Sequence, residues 1–138
     1  MPDSTQAPYT LRDGLNIALY EWPLPRRQRP RAVVLIVHGL GEHAWRYDTV
    51  AQRLNEWGYC VRAYDQCGHG ESGGTRGVLQ DDDDLLEDLE ELIDDTRRHI
   101  ALPWSCPLVL LGHSMGGLVA SALVQRGRAP VDALVLSS

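Results

Sequence analysis

The sequence predicts a single α/β domain, built as a mostly parallel sheet of about six strands with helices on both faces. Two alternating segments open the chain, and short β-branched apolar runs separated by helical patterns follow them. The chain has 138 residues, of which 43% are hydrophobic, and this is enough for one domain with a sizeable core. No repeat or low-complexity linker divides it, so residues 1–138 are expected to form one unit.

The first predicted elements are a β-hairpin and a buried strand. Apolar and polar residues alternate from Tyr9 to Trp22 around Asp13-Gly14, a pair that tight hairpin turns favour. The run "AVVLIV" at residues 32–37 is short, apolar and β-branched, as in a strand that is buried on both faces. The sheet is therefore expected to begin with an antiparallel pair that a core strand follows.

A strand–helix unit comes next. Residues 46–58 predict a helix that ends at Gly58. Its predicted apolar face consists of Tyr47, Val50, Ala51, Leu54 and Trp57. A strand at residues 59–65 and a glycine-rich loop at residues 68–77 follow this helix.

The acidic segment at residues 81–100 is the clearest helical pattern, with aspartates in its first turn and basic residues in its last. It lacks the spaced ligands and the glycine of a calcium loop, so we predict a solvated helix face. A strand at residues 107–112, a helix at residues 115–127 and a strand at residues 131–138 complete the chain.

A serine stands between glycines where a predicted strand meets a predicted helix. "GHSMG" at residues 112–116 matches the pattern G-x-S-x-G, in which a tight turn strains the serine backbone and holds the hydroxyl above the sheet edge. Side chains at positions 112 and 116 would collide with the neighbouring strand and helix, so glycine is needed there. Ser114 is therefore the candidate nucleophile. The alternative is a glycine-rich connector in which Ser114 only caps the helix.

An acyl-transfer serine also needs donors for the negative charge that develops on the substrate carbonyl oxygen. The helix after Ser114 directs its first N–H groups at this position, beginning with that of Met115. A second donor is expected in the loop after an earlier central strand, where "VHGLGEH" occupies residues 37–43. We assign the backbone N–H of Leu40 as the partner of the Met115 N–H.

Three motifs, "HGLGEHAWRY", "YDQCGHGESGGTRG" and "GHSMGG", occur in this order, and "DGLNIALYEW" precedes them. On these motifs the chain resembles the serine α/β-hydrolases of the monoacylglycerol lipase and lysophospholipase branch, from about Tyr9 to Ser138. The resemblance implies the N-terminal part of an α/β-hydrolase fold, with Ser114 as nucleophile and Leu40 and Met115 as oxyanion donors. It also implies that the substrates are lipid esters of fatty acids with glycerol or related alcohols.

The catalytic base and its acid are expected outside this sequence. In this fold the triad follows the chain order Ser, Asp or Glu, His, but the residues after Ser114 contain one acid, Asp132, and no histidine. Asp132 opens the last strand, which places it at the end of the sheet away from the serine. The resemblance implies a lid region, two further strands and the triad Asp and His beyond Ser138. The chain alone is therefore expected to be inactive, and peripheral membrane contact is expected only through that lid.

The segment "ALVLSS" at residues 133–138 would then lie at an edge of the sheet. Its unpaired N–H and C=O groups, flanked by Leu134, Val135 and Leu136, form an adhesive edge. We expect the chain to self-associate through this strand, or to need its C-terminal half supplied in trans. Because the base and its acid are expected outside this sequence, an interaction module that keeps the hydrolase scaffold without its chemistry is an open alternative.

Composition and charge argue against several other classes of function. The net charge of −6, from 13 basic and 19 acidic residues, argues against nucleic acid as a partner, because phosphate binding needs clustered basic side chains. The start "MPDSTQAPYT" has no signal-peptide pattern, and no apolar run approaches the roughly 20 residues of a membrane span. Cys60, Cys67 and Cys106 have no framework spacing, which favours a reducing compartment, so we predict a cytoplasmic location.

A dinucleotide-binding oxidoreductase domain is the competing enzyme class. Gly39-x-Gly41-x-x-Ala44 follows a strand, and Asp65 ends the next strand about 20 residues later, as the dinucleotide fingerprint requires. The polar His38 ends the strand where an apolar residue is usual, and the fingerprint leaves the serine elbow unexplained. We rank this class below the hydrolase.

The remaining histidines carry structural expectations. His113 is expected to pack, and His69 and Ser72 are expected to brace the glycine-rich loop by local hydrogen bonds. One imaginable metal cluster matches no zinc spacing, so we predict neither a metal nor a cofactor. That cluster comprises His38, His43, His69, Asp65 and Cys67.

Overall fold

The computed structural model describes residues 5–25, 28–74, 82–127 and 129–138. Residues 75–77 of the predicted glycine-rich loop and residue 81 of the predicted acidic helix lie outside these ranges. The described residues form one six-stranded sheet. Its strands are β1 (Thr5–Thr10), β2 (Asn16–Trp22), β3 (Ala32–Val37), β4 (Tyr59–Tyr64), β5 (Leu108–His113) and β6 (Ala133–Ser137).

The strands lie in the order β1-β2-β4-β3-β5-β6. β1 and β2 form the predicted antiparallel hairpin, and β2 pairs antiparallel with β4. The pairs β3–β4, β3–β5 and β5–β6 are parallel, and every residue of β3 is buried, as predicted. The mostly parallel sheet is therefore confirmed. Because β3, β4 and β5 run in the same direction, the loops that follow them meet at one edge of the sheet.

Helices cover both faces of this sheet, as predicted. They are α1 (Asp48–Glu56), α2 (Asp82–Thr96), α3 (Leu102–Trp104) and α4 (Met115–Gln125). α1 follows a 3₁₀ turn at residues 44–47 and packs on one face, whereas α2 and α4 pack on the other. A π-helical turn at residues 97–101 joins α2 to α3. Within the described ranges, no helix combines the length and the apolar composition that crossing a membrane requires.

The buried face of α1 differs from the predicted one. Val50 and Trp57 are 44% and 55% exposed, whereas Asn55 is buried. The Asn55 Nδ2 donates to the carbonyl oxygens of Trp22 (3.0 Å) and Tyr59 (2.8 Å), where β2 ends and β4 begins. The prediction that Val50 and Trp57 belong to the buried face of α1 is therefore wrong. The helix instead buries Asn55, because its side-chain amide donates to these two carbonyl oxygens.

Strand β6 forms one edge of the described sheet, as predicted, and Val135 and Leu136 are exposed there. Asp132, just before β6, is hydrogen-bonded twice to Leu108. Its N–H donates to the Leu108 carbonyl oxygen (2.9 Å), and its carboxylate accepts the Leu108 N–H (2.8 Å). Since Leu108 begins β5 and Ser114 follows its end, Asp132 lies at the far end of the sheet from the serine, as predicted.

Candidate active site

Ser114 joins β5 to α4 in a backbone conformation that is rare for a residue with a side chain. Its φ is 53° and its ψ is −117°, and such a positive φ strains any residue other than glycine. The Ser114 N–H donates to the carbonyl oxygen of Ser137 (2.8 Å), and the Ser114 carbonyl oxygen accepts the N–H of Leu118 (3.2 Å). The strained turn is therefore anchored to β6 and α4, while its side chain is exposed.

Two glycines allow this turn to close. A Cβ at Gly112 would lie 2.6 Å from the carbonyl oxygen of Gly116 and 2.7 Å from the Cα of Gly117. A Cβ at Gly116 would lie 2.1 Å from the carbonyl oxygen of Val37 and 2.5 Å from that of His38. Neither position has room for a side chain, so the predicted collisions with strand and helix are confirmed.

The loop that follows β3 lies against the same turn. A Cβ at Gly39 would lie 3.3 Å from the Ser114 Cβ and 3.2 Å from the His113 carbonyl oxygen. Leu40 is the next residue, and Met115 begins α4, where backbone N–H groups have no acceptor inside the helix. The three residues assigned from the sequence, Ser114, Leu40 and Met115, therefore belong to segments that meet at one edge of the sheet.

Two side chains are hydrogen-bonded to the main chain of Gly39. The His38 Nδ1 lies 2.7 Å from the Gly39 carbonyl oxygen, and the Glu42 Oε1 accepts the Gly39 N–H at 3.0 Å. The same Oε1 accepts the Tyr47 hydroxyl, and Arg46 lies 3.7 Å from the other carboxylate oxygen. Burial alone would raise the pKa of Glu42, but the hydrogen bonds from Tyr47 and Gly39 outweigh it, and the pKa is lowered. Glu42 is therefore charged at neutral pH.

His38 is fully buried, and both of its ring nitrogens have partners. Its Nε2 accepts the backbone N–H of Gln66 at 2.9 Å, and its Nδ1 faces the Gly39 carbonyl oxygen. The Gln66 side chain also donates to the His38 carbonyl oxygen at 2.6 Å. Burial lowers the pKa of His38, which favours the neutral imidazole. His38 therefore connects the loop after β3 to the loop after β4 by hydrogen bonds.

Asp65, just after β4, is fully buried, and its carboxylate accepts hydrogen bonds from several residues of the chain. The donors include the N–H of Ala44 (2.7 Å), the hydroxyl of Tyr20 (3.1 Å) and the N–H of Glu71 (2.9 Å). The acid of a dinucleotide fingerprint must reach the ribose of its ligand. Asp65 is occupied by its own chain, and one donor is Ala44 of that fingerprint, so the geometry does not support the dinucleotide interpretation.

Residues 65–74, which we call the β4 loop, are braced as predicted. The Ser72 hydroxyl donates to the Asp65 carbonyl oxygen at 2.6 Å and accepts the N–H of Ala18 at 2.8 Å. The His69 Nδ1 lies 3.1 Å from the Cys67 carbonyl oxygen. These contacts tie the β4 loop to itself and to β2.

Every histidine of the chain lies within the described residues, and none of them is hydrogen-bonded to the Ser114 hydroxyl there. His113 packs edge-on against Tyr47 with ring centroids 6.5 Å apart, and its Nδ1 lies 3.1 Å from the Ser137 Oγ. This is the packing role predicted for His113. Among the described residues, therefore, no histidine is positioned to accept a proton directly from Ser114.

The described residues do not indicate a metal site or a reactive thiol. In the parts of the chain that the structure describes, no three His, Cys, Asp or Glu side chains are grouped to hold a metal ion. The three cysteines are free and buried. Burial raises the pKa of Cys60 to about 11 and also raises that of Cys67, so neither is a reactive thiolate at neutral pH.

An open cavity of about 250 Å³ adjoins Ser114 and has exposed apolar side chains on its wall. It is lined by Ser114, Gly117, Leu118, Ser121, Leu136, Ser137 and Ser138. Leu118 and Leu136 are 73% and 56% exposed. Sequence reasoning missed this pair. Leu118 could have been found from its position one helical turn after Ser114, whereas Leu136 is brought there by the pairing of β6 with β5.

Comparison with known proteins identifies the family. Residues 28–138 match the sequence model of the family described as serine aminopeptidase, S33, or Hydrolase_4. The chain belongs to this family. The chain is 43% identical over 109 residues to a monoacylglycerol lipase of Mycolicibacterium smegmatis, and the match covers 78% of this chain and 38% of the lipase. It is 34% identical over 114 residues to the phospholipase YtpA of Bacillus subtilis, covering 82% and 42% of the two chains.

A solved structure also places this S33-family chain among the α/β-hydrolases. A soluble variant of monoglyceride lipase from Saccharomyces cerevisiae, in complex with a substrate analog, matches it with a TM-score of 0.77 at 26% identity. The match covers 92% of this chain and 40% of the yeast enzyme. The predicted resemblance and the partial α/β-hydrolase fold are confirmed, and the chain spans less than half the length of these relatives.

Proposed function

We propose that this chain is the nucleophile-bearing part of a carboxylic ester hydrolase that acts on monoacylglycerol-like or lysophospholipid-like lipid esters. The observation that carries the proposal is the strained and exposed Ser114, with the Gly39 loop packed against it. Membership of a hydrolase family supports the type of reaction. The substrate class is supported by relatives that are named monoacylglycerol lipase and phospholipase.

In the proposed reaction, the Ser114 Oγ attacks the carbonyl carbon of the ester while its proton passes to a general base. The backbone N–H groups of Leu40 and Met115 hold the oxyanion, and the positive end of the α4 dipole adds to their effect. The alcohol then leaves with the proton from the base. Water hydrolyses the acyl-enzyme by the same steps in reverse, which regenerates Ser114.

The base and the acid that orients it belong, in this proposal, to a part of the protein outside these 138 residues. Both ring nitrogens of His38 are engaged, and His113 faces Ser137 and Tyr47. Residues 1–138 are then a partial core domain, and the isolated chain is catalytically silent. The reason is that a serine without a base is an ordinary alcohol and a weak nucleophile.

The cavity beside Ser114 supports an apolar acyl group as the part of the substrate nearest the nucleophile. Leu118 and Leu136 expose their side chains to it, and burying them against an acyl chain would remove apolar surface from water. No cationic side chain lines the cavity among the described residues, so the acyl chain, rather than a phosphate, is the group expected there.

Two further proposals concern the isolated chain and its compartment. We propose that the isolated chain associates with a second copy through β6, which is a sheet edge with exposed Val135 and Leu136. We also propose a cytoplasmic location, which the three free and buried cysteines support.

The proposed function is tested by Ser114→Ala in the full-length protein. Loss of the nucleophile should lower kcat for a monoacylglycerol by about 10⁶-fold, as it does in other triad enzymes. Ser105→Ala is the matched control, because Ser105 also has a positive φ, of 50°, but lies before the start of β5. A Ser114→Ala enzyme that keeps most of its esterase activity would show the assignment to be wrong.

The isolated chain provides a second test of the same proposal. A fluorophosphonate probe should label Ser114 rapidly in the full-length protein and only slowly in the 138-residue chain, because the chain contains no base for it. Rapid stoichiometric labelling of the isolated chain would contradict the proposal that the base lies elsewhere.

A further inference from the structure

The peptide between Gly39 and Leu40 carries the proposed oxyanion donor. The His38 side chain contacts the carbonyl of this peptide, and the Glu42 side chain contacts the N–H of the peptide that precedes it. The Gly39 carbonyl oxygen is 2.7 Å from the His38 Nδ1, and the Gly39 N–H donates to Glu42 at 3.0 Å. The Gly39 carbonyl and the Leu40 N–H belong to one planar peptide unit. Whatever fixes the direction of that carbonyl therefore also fixes the direction of the Leu40 N–H.

The proton position on His38 follows from its two short contacts, with the Gly39 carbonyl oxygen and the Gln66 N–H, whereas the Gln66 side-chain nitrogen lies 3.5 Å from Nδ1. The Gln66 N–H is a donor, so the Nε2 that faces it at 2.9 Å accepts and carries no proton. The Gly39 carbonyl oxygen is an acceptor, so the Nδ1 that faces it carries the proton. His38 is thus held as a single neutral tautomer that donates to Gly39.

The trans geometry of the peptide directs its N–H away from His38. In a trans peptide the N–H and the C=O point in opposite directions, and the Gly39 carbonyl points at a ring that is fully buried. The Leu40 N–H therefore points outward. Gly39 itself contacts the elbow, since a Cβ there would lie 3.3 Å from the Ser114 Cβ.

We propose that His38 and Glu42 are positioning residues that keep the Leu40 N–H directed at the oxyanion site beside Ser114. His38 holds the carbonyl of the Gly39–Leu40 peptide, and Glu42 holds the preceding peptide on the other side of the Gly39 Cα. This inference rests on the proposed function, because it presupposes that Leu40 is an oxyanion donor. Glu42 is itself held by the Tyr47 hydroxyl, so the peptide is supported by a network that begins in the 3₁₀ turn before α1. Neither side chain touches the substrate in this proposal.

Two substitutions of His38 separate the positioning contact from the general contribution of a buried side chain. An asparagine amide can reach the position of Nδ1 and donate to Gly39, but it loses the acceptor for Gln66. A glutamine amide can reach the position of Nε2 and accept from Gln66, but it loses the donor to Gly39. Both variants replace the ring with an uncharged amide, so His38→Asn and His38→Gln form a matched pair.

The experiment measures kcat and KM of these variants in the full-length protein with a monoacylglycerol. His38→Gln should lower kcat by about 10²-fold with KM changed by less than about threefold, as expected for a misplaced oxyanion donor. His38→Asn should stay within about tenfold of the unmodified enzyme, because the donor to Gly39 is kept. Asn55→Ala, which removes a hydrogen-bonded side chain from the buried face of α1, controls for loss of stability and should leave kcat unchanged.

A second pair of variants tests whether Glu42 has a positioning role. This pair keeps the proposal testable if the His38 variants do not fold. Glu42→Gln keeps an acceptor for the Gly39 N–H, whereas Glu42→Leu removes it. Glu42→Leu should lower kcat by about 10-fold or more relative to Glu42→Gln, again with KM little changed.

The outcomes distinguish this inference from the proposed function. Equal kcat values within both pairs, with Ser114→Ala inactive, would overturn the positioning roles and leave the nucleophile in place. An active Ser114→Ala enzyme would overturn the proposed function itself. A lower kcat for His38→Gln than for His38→Asn, at similar KM, supports the inference.

Discussion

The β4 loop and the elbow at Ser114 both follow parallel strands and both contain several glycines. Their polar side chains differ, however, in burial and in hydrogen bonding. In the β4 loop, Asp65 and Ser72 are buried and have partners for their side chains. At the elbow, the Ser114 side chain is exposed, and its hydroxyl has no hydrogen bond among the described residues. Similar sequence patterns therefore produce buried, hydrogen-bonded side chains in one place and an exposed serine in the other.

The glycines of the two segments also serve different contacts. A Cβ at Gly70 would lie 2.2 Å from the Asp65 Oδ2, so this glycine lets the β4 loop close over a carboxylate. A Cβ at Gly116 would lie 2.1 Å from the Val37 carbonyl oxygen, so that glycine lets α4 close on β3. The β4 loop is thus held by hydrogen bonds to one acid, whereas the elbow is held by close backbone packing.

The strongest test of the brace is Asp65→Ala. It leaves the Tyr20 hydroxyl and the N–H groups of Ala44 and Glu71 without their acceptor, and should lower the free energy of unfolding by about 3–5 kcal/mol. Chemical denaturation of the full-length protein measures this loss. Asp48→Ala is the control, because partly buried Asp48 accepts from the Trp22 Nε1 and should cost only about 1 kcal/mol. Equal losses would show that Asp65 is not the centre of the brace.

The packing of the elbow is tested by Gly116→Ala. The new Cβ would overlap the carbonyl oxygens of Val37 and His38, and moving these groups should cost about 2–3 kcal/mol of unfolding free energy. The neighbouring Gly117→Ala is matched to it on α4. Its Cβ would lie 3.3 Å from the nearest atom, and alanine favours a helix, so its effect should stay within about 1 kcal/mol. Denaturation midpoints that do not distinguish the two variants would contradict the packing argument.

The two edge strands of the sheet, β1 and β6, differ in how readily they could pair with a second copy of the chain. β1 contains Pro8, which cannot donate a hydrogen bond to a further strand, whereas β6 is apolar and contains no proline. If the isolated chain associates through β6, Val135→Lys should weaken self-association by about tenfold, and Gln6→Lys on β1 should not change it. Sedimentation equilibrium measures both. A chain that is monomeric before any substitution would end this proposal.

The smallest expected effect concerns Asp88, which lies on α2. Burial and then the charges of Asp13 and Asp84 raise its pKa from 3.8 to about 7. The folded state therefore binds a proton that the unfolded state has lost between these two pKa values, and stability falls as the pH rises through this window. Asp88→Asn removes this loss and should stabilise the protein by about 1–2 kcal/mol at pH 8, with little change at pH 4.

Thermal and chemical unfolding at the two pH values check this prediction for Asp88. Glu56→Gln, which removes one exposed negative charge from the end of α1, controls for the change in net charge. A stabilisation by Asp88→Asn that is equal at both pH values would show that the titration of this carboxyl is not its cause.

Local backbone requirements explain what the sequence determined without the structure. The hairpin around Gly14, the buried strand β3 and the strained turn at Ser114 each follow from demands within a few residues, namely a tight turn, a run of β-branched side chains, and glycines at positions 112 and 116. For the same reason, the candidate residues Ser114, Leu40 and Met115 could be named from motifs alone, and their roles remain proposals.

Only the tertiary structure decided the hydrogen-bond partners of the buried Asp65, His38 and Asn55. The sequence position of Asp65 fits a dinucleotide fingerprint, but its carboxylate accepts hydrogen bonds from Tyr20, Ala44 and Glu71. No local pattern predicts that His38 links the loops after β3 and β4. The order β2-β4-β3, the buried Asn55 and the exposed Val50 and Trp57 were not evident from periodicity either. Hydrogen-bond partners that are 20 or more residues apart depend on how strands are ordered, because a side chain's burial and its donors come from elements that no local pattern contains.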